Sequence, residues 1–163
     1  MNNDLRETFA DYCQRDFEFL VSDFGFRVES IRKDTFGSIV TYVSKFSAIT
    51  LNYCPHDGWI KVTIFRILDG KIVSSELRIT FDPSQDLFSF DFDLLTRVRA
   101  NKIVKQKTED LFDHREIERI LSEYAILMKQ YATDVLRGDF RIMPEIKNAI
   151  VQIGIKLKET GKY

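Results

Sequence analysis

The sequence predicts an α+β fold: an antiparallel meander of about five strands, flanked by an N-terminal helix and packed against C-terminal helices. Two observations predict it. Between residues 26 and 81, stretches rich in Val, Ile, Thr, Tyr and Phe alternate apolar with polar residues and are separated only by short turns. On either side of that region apolar residues recur at steps of three and four, the period of a helix with one buried face. Strands grouped together, with helices outside the group, argue for α+β rather than βαβ alternation. One face of the sheet should then receive the helices. The 163 residues contain no repeat, low-complexity segment or linker, so residues 1–163 are expected to form a single domain.

In chain order, Asn3 is placed to cap a first helix in which Leu5, Phe9, Cys13, Phe17 and Leu20 form one stripe, ending near Ser22-Asp23. Phe26 to Arg32 reads as a half-buried strand, and Lys33 to Gly37 as a turn. Ile39 to Ser44 and Ala48 to Tyr53 follow as strands, with Ile49, Leu51 and Tyr53 on one face. The central strand is Trp59 to Leu68. It follows the turn Cys54-Pro55-His56-Asp57-Gly58 and precedes Asp69-Gly70, a dipeptide that favours a type I′ hairpin, so it should pair on both sides. A last strand places Val73, Leu77, Ile79 and Phe81 on one side, until Pro83 breaks the sheet.

Residues 88–98 admit two readings. Phe88, Phe90 and Phe92 alternate as an edge strand would, yet Ser89 or Asp91 could cap a short helix through Leu94, Leu95 and Val98, and the helix is the preferred reading. Arg97 to Lys107 holds five bases and no acid, and reads as a helix end running into a solvated connector. Phe112 to Leu136 is the clearest helix, with Asp113 and Glu116 as a capping box, Phe112 and Ile117 as a staple, and a continuous apolar face from Ile117 to Val135. Gly138 supplies its stop. Pro144 opens a final helix with Ile146, Ile150, Ile153 and Leu157 on one face, ended by Gly161.

Composition narrows the function classes. A 44% apolar content with 14 Phe and 6 Tyr supplies a packed core and argues against disorder. A net charge of −1 argues against binding nucleic acid or an anionic membrane through bulk charge. Cys13 and Cys54 belong to no CxxC pair and read as reduced thiols; the start is charged and no stretch is long and apolar enough for a membrane span. A soluble, cytoplasmic protein without a signal peptide is expected.

No catalytic motif stands out. Nucleophile elbow, dinucleotide fingerprint, phosphate loop and His-Glu-x-x-His are all missing from the sequence, and the seven glycines are dispersed. Cys54, His56 and Asp57 form a compact group, but one turn offers a metal too few converging ligands, so neither metal nor cofactor is expected. The basic run from Arg97 to Lys107 lacks aromatic residues for stacking and follows an acidic stretch, so nucleic-acid binding is not favoured. Residues 1–30 hold seven acids against three bases, and Asp82, Asp86, Asp91 and Asp93 form a second acidic group.

Phe19-Leu20 leading to Asp23-Phe24-Gly25-Phe26, Tyr53 before Asp57-Gly58, and Tyr124-Ala125 through Tyr131, Asp134, Leu136, Gly138 and Asp139 resemble a loose set of small uncharacterised bacterial proteins. The resemblance implies one α+β domain and an immunity-type role beside a bacterial toxin. It transfers no catalytic residue.

The expected function is therefore a non-enzymatic protein-interaction module that covers a basic partner through Asp11, Asp16, Glu18, Asp82, Asp86, Asp91 and Asp93. The alternative is a small-molecule-binding or enzymatic pocket between sheet and helices, lined by Tyr53, His56, Trp59 and His114. Homodimerisation through a spare sheet edge or the last helix is a third option.

Overall fold

The computed structural model describes residues 3–73 and 86–160, and has the α+β architecture. Two helices, α1 (Asn3–Asp16) and α2 (Glu18–Phe24), precede strands β1 (Arg27–Lys33), β2 (Ser38–Val43), β3 (Ser47–Cys54), β4 (Trp59–Leu68) and β5 (Lys71–Ile72). A short β6 (Ser89–Asp91) leads into α3 (Phe92–Ala100). A 3-10 turn (Thr108–Phe112) then introduces α4 (His114–Tyr131), α5 (Thr133–Leu136) and α6 (Met143–Thr160).

Among the described residues every strand pair is antiparallel, in the order β1-β2-β3-β4-β5. β4 pairs on both sides, as its position between two turns requires. One edge meets β3; the other meets β5 at Ile67 and Leu68 and β6 at Thr63 to Phe65. Asp69 (φ 51) and Gly70 (φ 72) give the hairpin the two left-handed central residues of a type I′ turn. Beyond Val73, the expected strand through Leu77, Ile79 and Phe81 lies outside the described residues, as does Gly161.

Pairing register fixes the core. Val40 and Tyr42, Ile49, Leu51 and Tyr53, Ile60, Val62 and Ile64, and Phe90 occupy matching rungs and are all at most 2% exposed. The helices contribute Leu5, Phe9 and Cys13 from α1, Phe92 and Leu95 from α3, and Ile117, Leu121, Tyr124 and Met128 from α4. Phe9 stacks on Tyr53 with ring centroids 5.3 Å apart, and the Tyr53 hydroxyl donates to the Leu111 carbonyl at 2.7 Å. That bond ties the sheet to the turn that starts α4.

Several expectations need correction. The first helix breaks at Phe17, because in a straight helix Phe19 would face away from Phe17; the break buries both rings, 6.0 Å apart. β1 is exposed along most of its length rather than half-buried, since it is an edge strand and carries a bulge between Val28 and Ser30. The two readings of residues 88–98 are realised in succession, a three-residue strand and then a helix. Asp91 stands at the N-cap position of α3 without a side-chain cap bond, its carboxylate instead meeting Lys61 at 3.0 Å.

Asp113 does cap α4, accepting from the Arg115 N–H at 2.8 Å, but Phe112 is 60% exposed and staples nothing. The long helix also breaks at Ala132, where Arg99 bonds both Asp134 oxygens (2.7 and 2.5 Å) and the Tyr131 carbonyl. The connector is only partly solvated. Val104 is buried, and the Gln106 side chain pairs with the Ile60 backbone. In α6, Ile146 is buried whereas Leu157 on the same stripe is 44% exposed.

Candidate functional site

The acids singled out in the sequence separate into surface and structural groups. Asp11 and Glu18 are exposed on the outer side of α1 and α2, and Asp86 is exposed ahead of β6. Asp16 bonds Arg15 (2.8 Å) and accepts from the Ser122 hydroxyl (2.9 Å), joining α1 to α4. Arg15 also reaches Glu118 at 2.8 Å, so α1 and α4 share a charged seam with Glu18 nearby in the chain. Asp91 is held by Lys61. Asp82 lies outside the described residues.

Asp93 belongs to the interior. The first turn of α3 aims it at α4, where its carboxylate accepts from the Tyr124 hydroxyl at 3.1 Å and from the Val104 N–H at 3.4 Å. Burial pushes its pKa above the usual carboxylate value, with the hydroxyl and amide bonds opposing that shift. Tyr124 is itself pushed up by burial, then by the nearby Asp93 charge. This network braces α3, α4 and the connector. It is scaffolding.

Tyr53, His56, Trp59 and His114 do not form one pocket. Neighbouring strand residues point to opposite faces, so Tyr53, paired with Ile60, enters the helix-facing core, while Cys54 and Trp59 form the next rung on the other face. The side chain of His56 is 75% exposed on the hairpin, its Nδ1 3.4 Å from Asp57 Oδ1. His114 is the first residue of α4.

Trp59 instead lines a cleft of about 190 Å³ at the end of β2, β3 and β4, with Asp34, Phe36, Asn52, Cys54 and Asp57. The turn at 34–37 forms one wall. Gly37 is required there, since a Cβ would lie 1.9 Å from the Tyr53 carbonyl oxygen. Asp34 closes the turn by accepting from the N–H groups of Phe36 (2.8 Å) and Gly37 (2.9 Å). Sequence reasoning found Trp59 and Asp57 but missed Asp34 and Phe36; the Asp-x-x-Gly turn was the available signal.

The Cys54 thiol donates to Asp57 Oδ2 at 3.1 Å. Burial and this bond raise the thiol pKa, the reverse of what a nucleophilic cysteine needs, while the same bond lowers that of Asp57. Among the described residues no three His, Cys, Asp or Glu side chains are grouped to hold a metal ion. A larger open groove of about 570 Å³ follows the connector past Ile103, Lys105 and Arg119. Arg119 is engaged there by Glu116 (2.7 Å), Glu123 (3.2 Å) and the Lys105 carbonyl (3.2 Å). No described helix is long and apolar enough to cross a membrane.

Compared with protein-family models, curated proteins and solved structures, the chain matches none.

Proposed function

We propose that the chain is a non-enzymatic protein-interaction module that covers a basic protein partner, as an immunity protein covers its toxin. The observation that carries this reading is the filled layer between sheet and helices. Tyr42, Tyr53, Tyr124, Phe9, Phe17, Phe90 and Phe92 are each less than 2% exposed there, with Tyr53 and Phe9 in ring contact. Close packing of these side chains supports the interaction reading over a substrate pocket between sheet and helices. The perturbed groups Asp93, Tyr124 and Cys54 are likewise bonded within the fold.

Function then falls to the surface. Asp11 and Glu18 on the N-terminal helices, with Asp86 ahead of β6, offer exposed carboxylates to a positive partner, and such complementarity speeds encounter and excludes wrong partners. Self-association through α6, where Ile155 and Leu157 are each 44% exposed, is the competing surface reading.

The test is native mass spectrometry of the protein purified from its own cells, beside an Asp11→Lys/Glu18→Lys variant. The reading predicts one stoichiometric basic chain, lost from the variant. Homodimers unaffected by the charge reversal would favour α6, and monomers carrying a small bound mass would favour a ligand site.

A further inference from the structure

Six rings of this chain carry one of its own cations. Arg15 lies over Tyr12, Lys45 over Phe46, Arg66 over Phe140, Lys102 over Tyr131, Lys129 over Phe19 and Arg137 over Phe24, at 4.6–5.9 Å from the ring centroids. Trp59 does not carry one. It is the single tryptophan of the sequence, and indole attracts a cation more strongly than the other rings, yet among the described residues no cation covers it. Phe36, 68% exposed in the same cleft, also carries none among the described residues.

The cleft adds two carboxylates to those two rings. Asp34 and Asp57 are fixed by local bonds from Phe36, Gly37 and Cys54, so both are held in place before any ligand arrives. Neither has a Lys or Arg partner among the described residues. Lys61, on the same strand face as Trp59, is committed to Asp91. Asn52, opposite Lys61, contributes an amide to the lining.

We infer that this cleft receives an arginine side chain of the basic partner, an inference that rests on the interaction reading. The guanidinium plane stacks against the indole, and its N–H fork donates to Asp34 and Asp57. Arginine fits better than lysine because its planar, weakly hydrated cation can stack and donate at the same time.

The test uses the full chain and the indole N–H resonance, which reports on this cleft alone because there is one tryptophan. Acetyl-Gly-Arg-Gly-amide should move that resonance saturably. The uncharged citrulline analogue, and the arginine peptide on Asp57→Asn or Asp34→Asn, should bind roughly fivefold more weakly or worse. Both variants keep an oxygen acceptor for the local bonds, and unmoved core resonances verify their fold. An equal response to the citrulline peptide, or no response to either peptide at millimolar concentration, overturns the inference. The titration needs no partner: a positive result with no basic chain recovered from cells overturns the interaction reading and leaves the cleft standing. A recovered basic partner held equally well by Asp57→Asn overturns the cleft and leaves that reading intact.

Discussion

The side-chain amide of Gln106 pairs with the backbone of Ile60 as a neighbouring strand would. Its Oε1 accepts the Ile60 N–H at 2.7 Å and its Nε2 donates to the Ile60 carbonyl at 2.8 Å. β6 covers β4 only at Thr63 to Phe65, so one side chain from the connector completes the edge at Ile60. Replacing it should therefore strand the Ile60 N–H, while the Ile60 carbonyl keeps only the Tyr124 hydroxyl at 3.5 Å. Gln106→Leu is expected to cost about 1–3 kcal/mol, the penalty of one unsatisfied buried group. Urea unfolding should show a lower midpoint with an unchanged slope.

Asp93 sets a pH dependence of definite sign. Its pKa is raised in the folded protein, chiefly by burial, so the native state holds this proton over a window in which the unfolded chain has released it. Its contribution to stability is then greatest below the unfolded carboxylate value of about 3.9 and falls as pH rises through the folded pKa. Asp93→Asn, which keeps an acceptor for the Tyr124 hydroxyl, should remove this fall. Tyr124→Phe deletes the bond that favours the carboxylate and should raise the Asp93 pKa further. Carboxyl carbon NMR titration checks the direction, and unfolding at acid and neutral pH checks the linkage.

Local signals carried much of the fold. Asp69-Gly70 marked a hairpin because few other dipeptides tolerate two positive φ values, and the alternation through β4 placed Ile60, Val62 and Ile64 together on the core face. What remained hidden depends on neighbours. The alternation in β1 is what a covered strand would show, and only its edge position leaves Val28 39% and Ile31 40% exposed. Asp91 and Asp93 look alike in sequence, but the chain passes from strand to helix between them, turning one to Lys61 and the other to Tyr124. The Trp59 cleft needs two turns brought together by strand pairing, so half of its wall could not be read from the Cys54 hairpin alone.

Gly138 sits behind α5 with φ 92, and a Cβ there would lie 2.7 Å from both Cβ and Cγ of Phe46. Gly138→Ala thus combines left-handed strain, about 1–2 kcal/mol, with a clash that costs about 1–3 kcal/mol. The expected loss is about 2–5 kcal/mol. Phe46→Ala removes the ring carbons that a Cβ at 138 would meet at 2.7 and 3.2 Å but keeps the Phe46 Cβ at 2.7 Å, so Gly138→Ala/Phe46→Ala should relieve only part of the clash, a coupling of about 1 kcal/mol in a double-mutant cycle. Simple additivity would mean that the turn, not the ring, demands glycine.

The two thiols should differ in reactivity for separate reasons. Cys13 is fully buried, and its pKa is raised well above the usual thiol value by that burial, so it should alkylate only when the protein unfolds. Cys54 is reachable but slow: burial and donation to Asp57 both favour its protonated form. Asp57→Asn retains an oxygen to accept from the thiol while removing the negative charge that opposes the thiolate. It should therefore accelerate Cys54 alkylation by iodoacetamide at neutral pH and leave Cys13 protected, as peptide mapping by mass spectrometry would register. If Asp57→Asn left the Cys54 rate unchanged, burial alone would control the thiol. If Cys13 became reactive as well, the variant would have loosened the core, and the change at Cys54 would say nothing about the charge of Asp57.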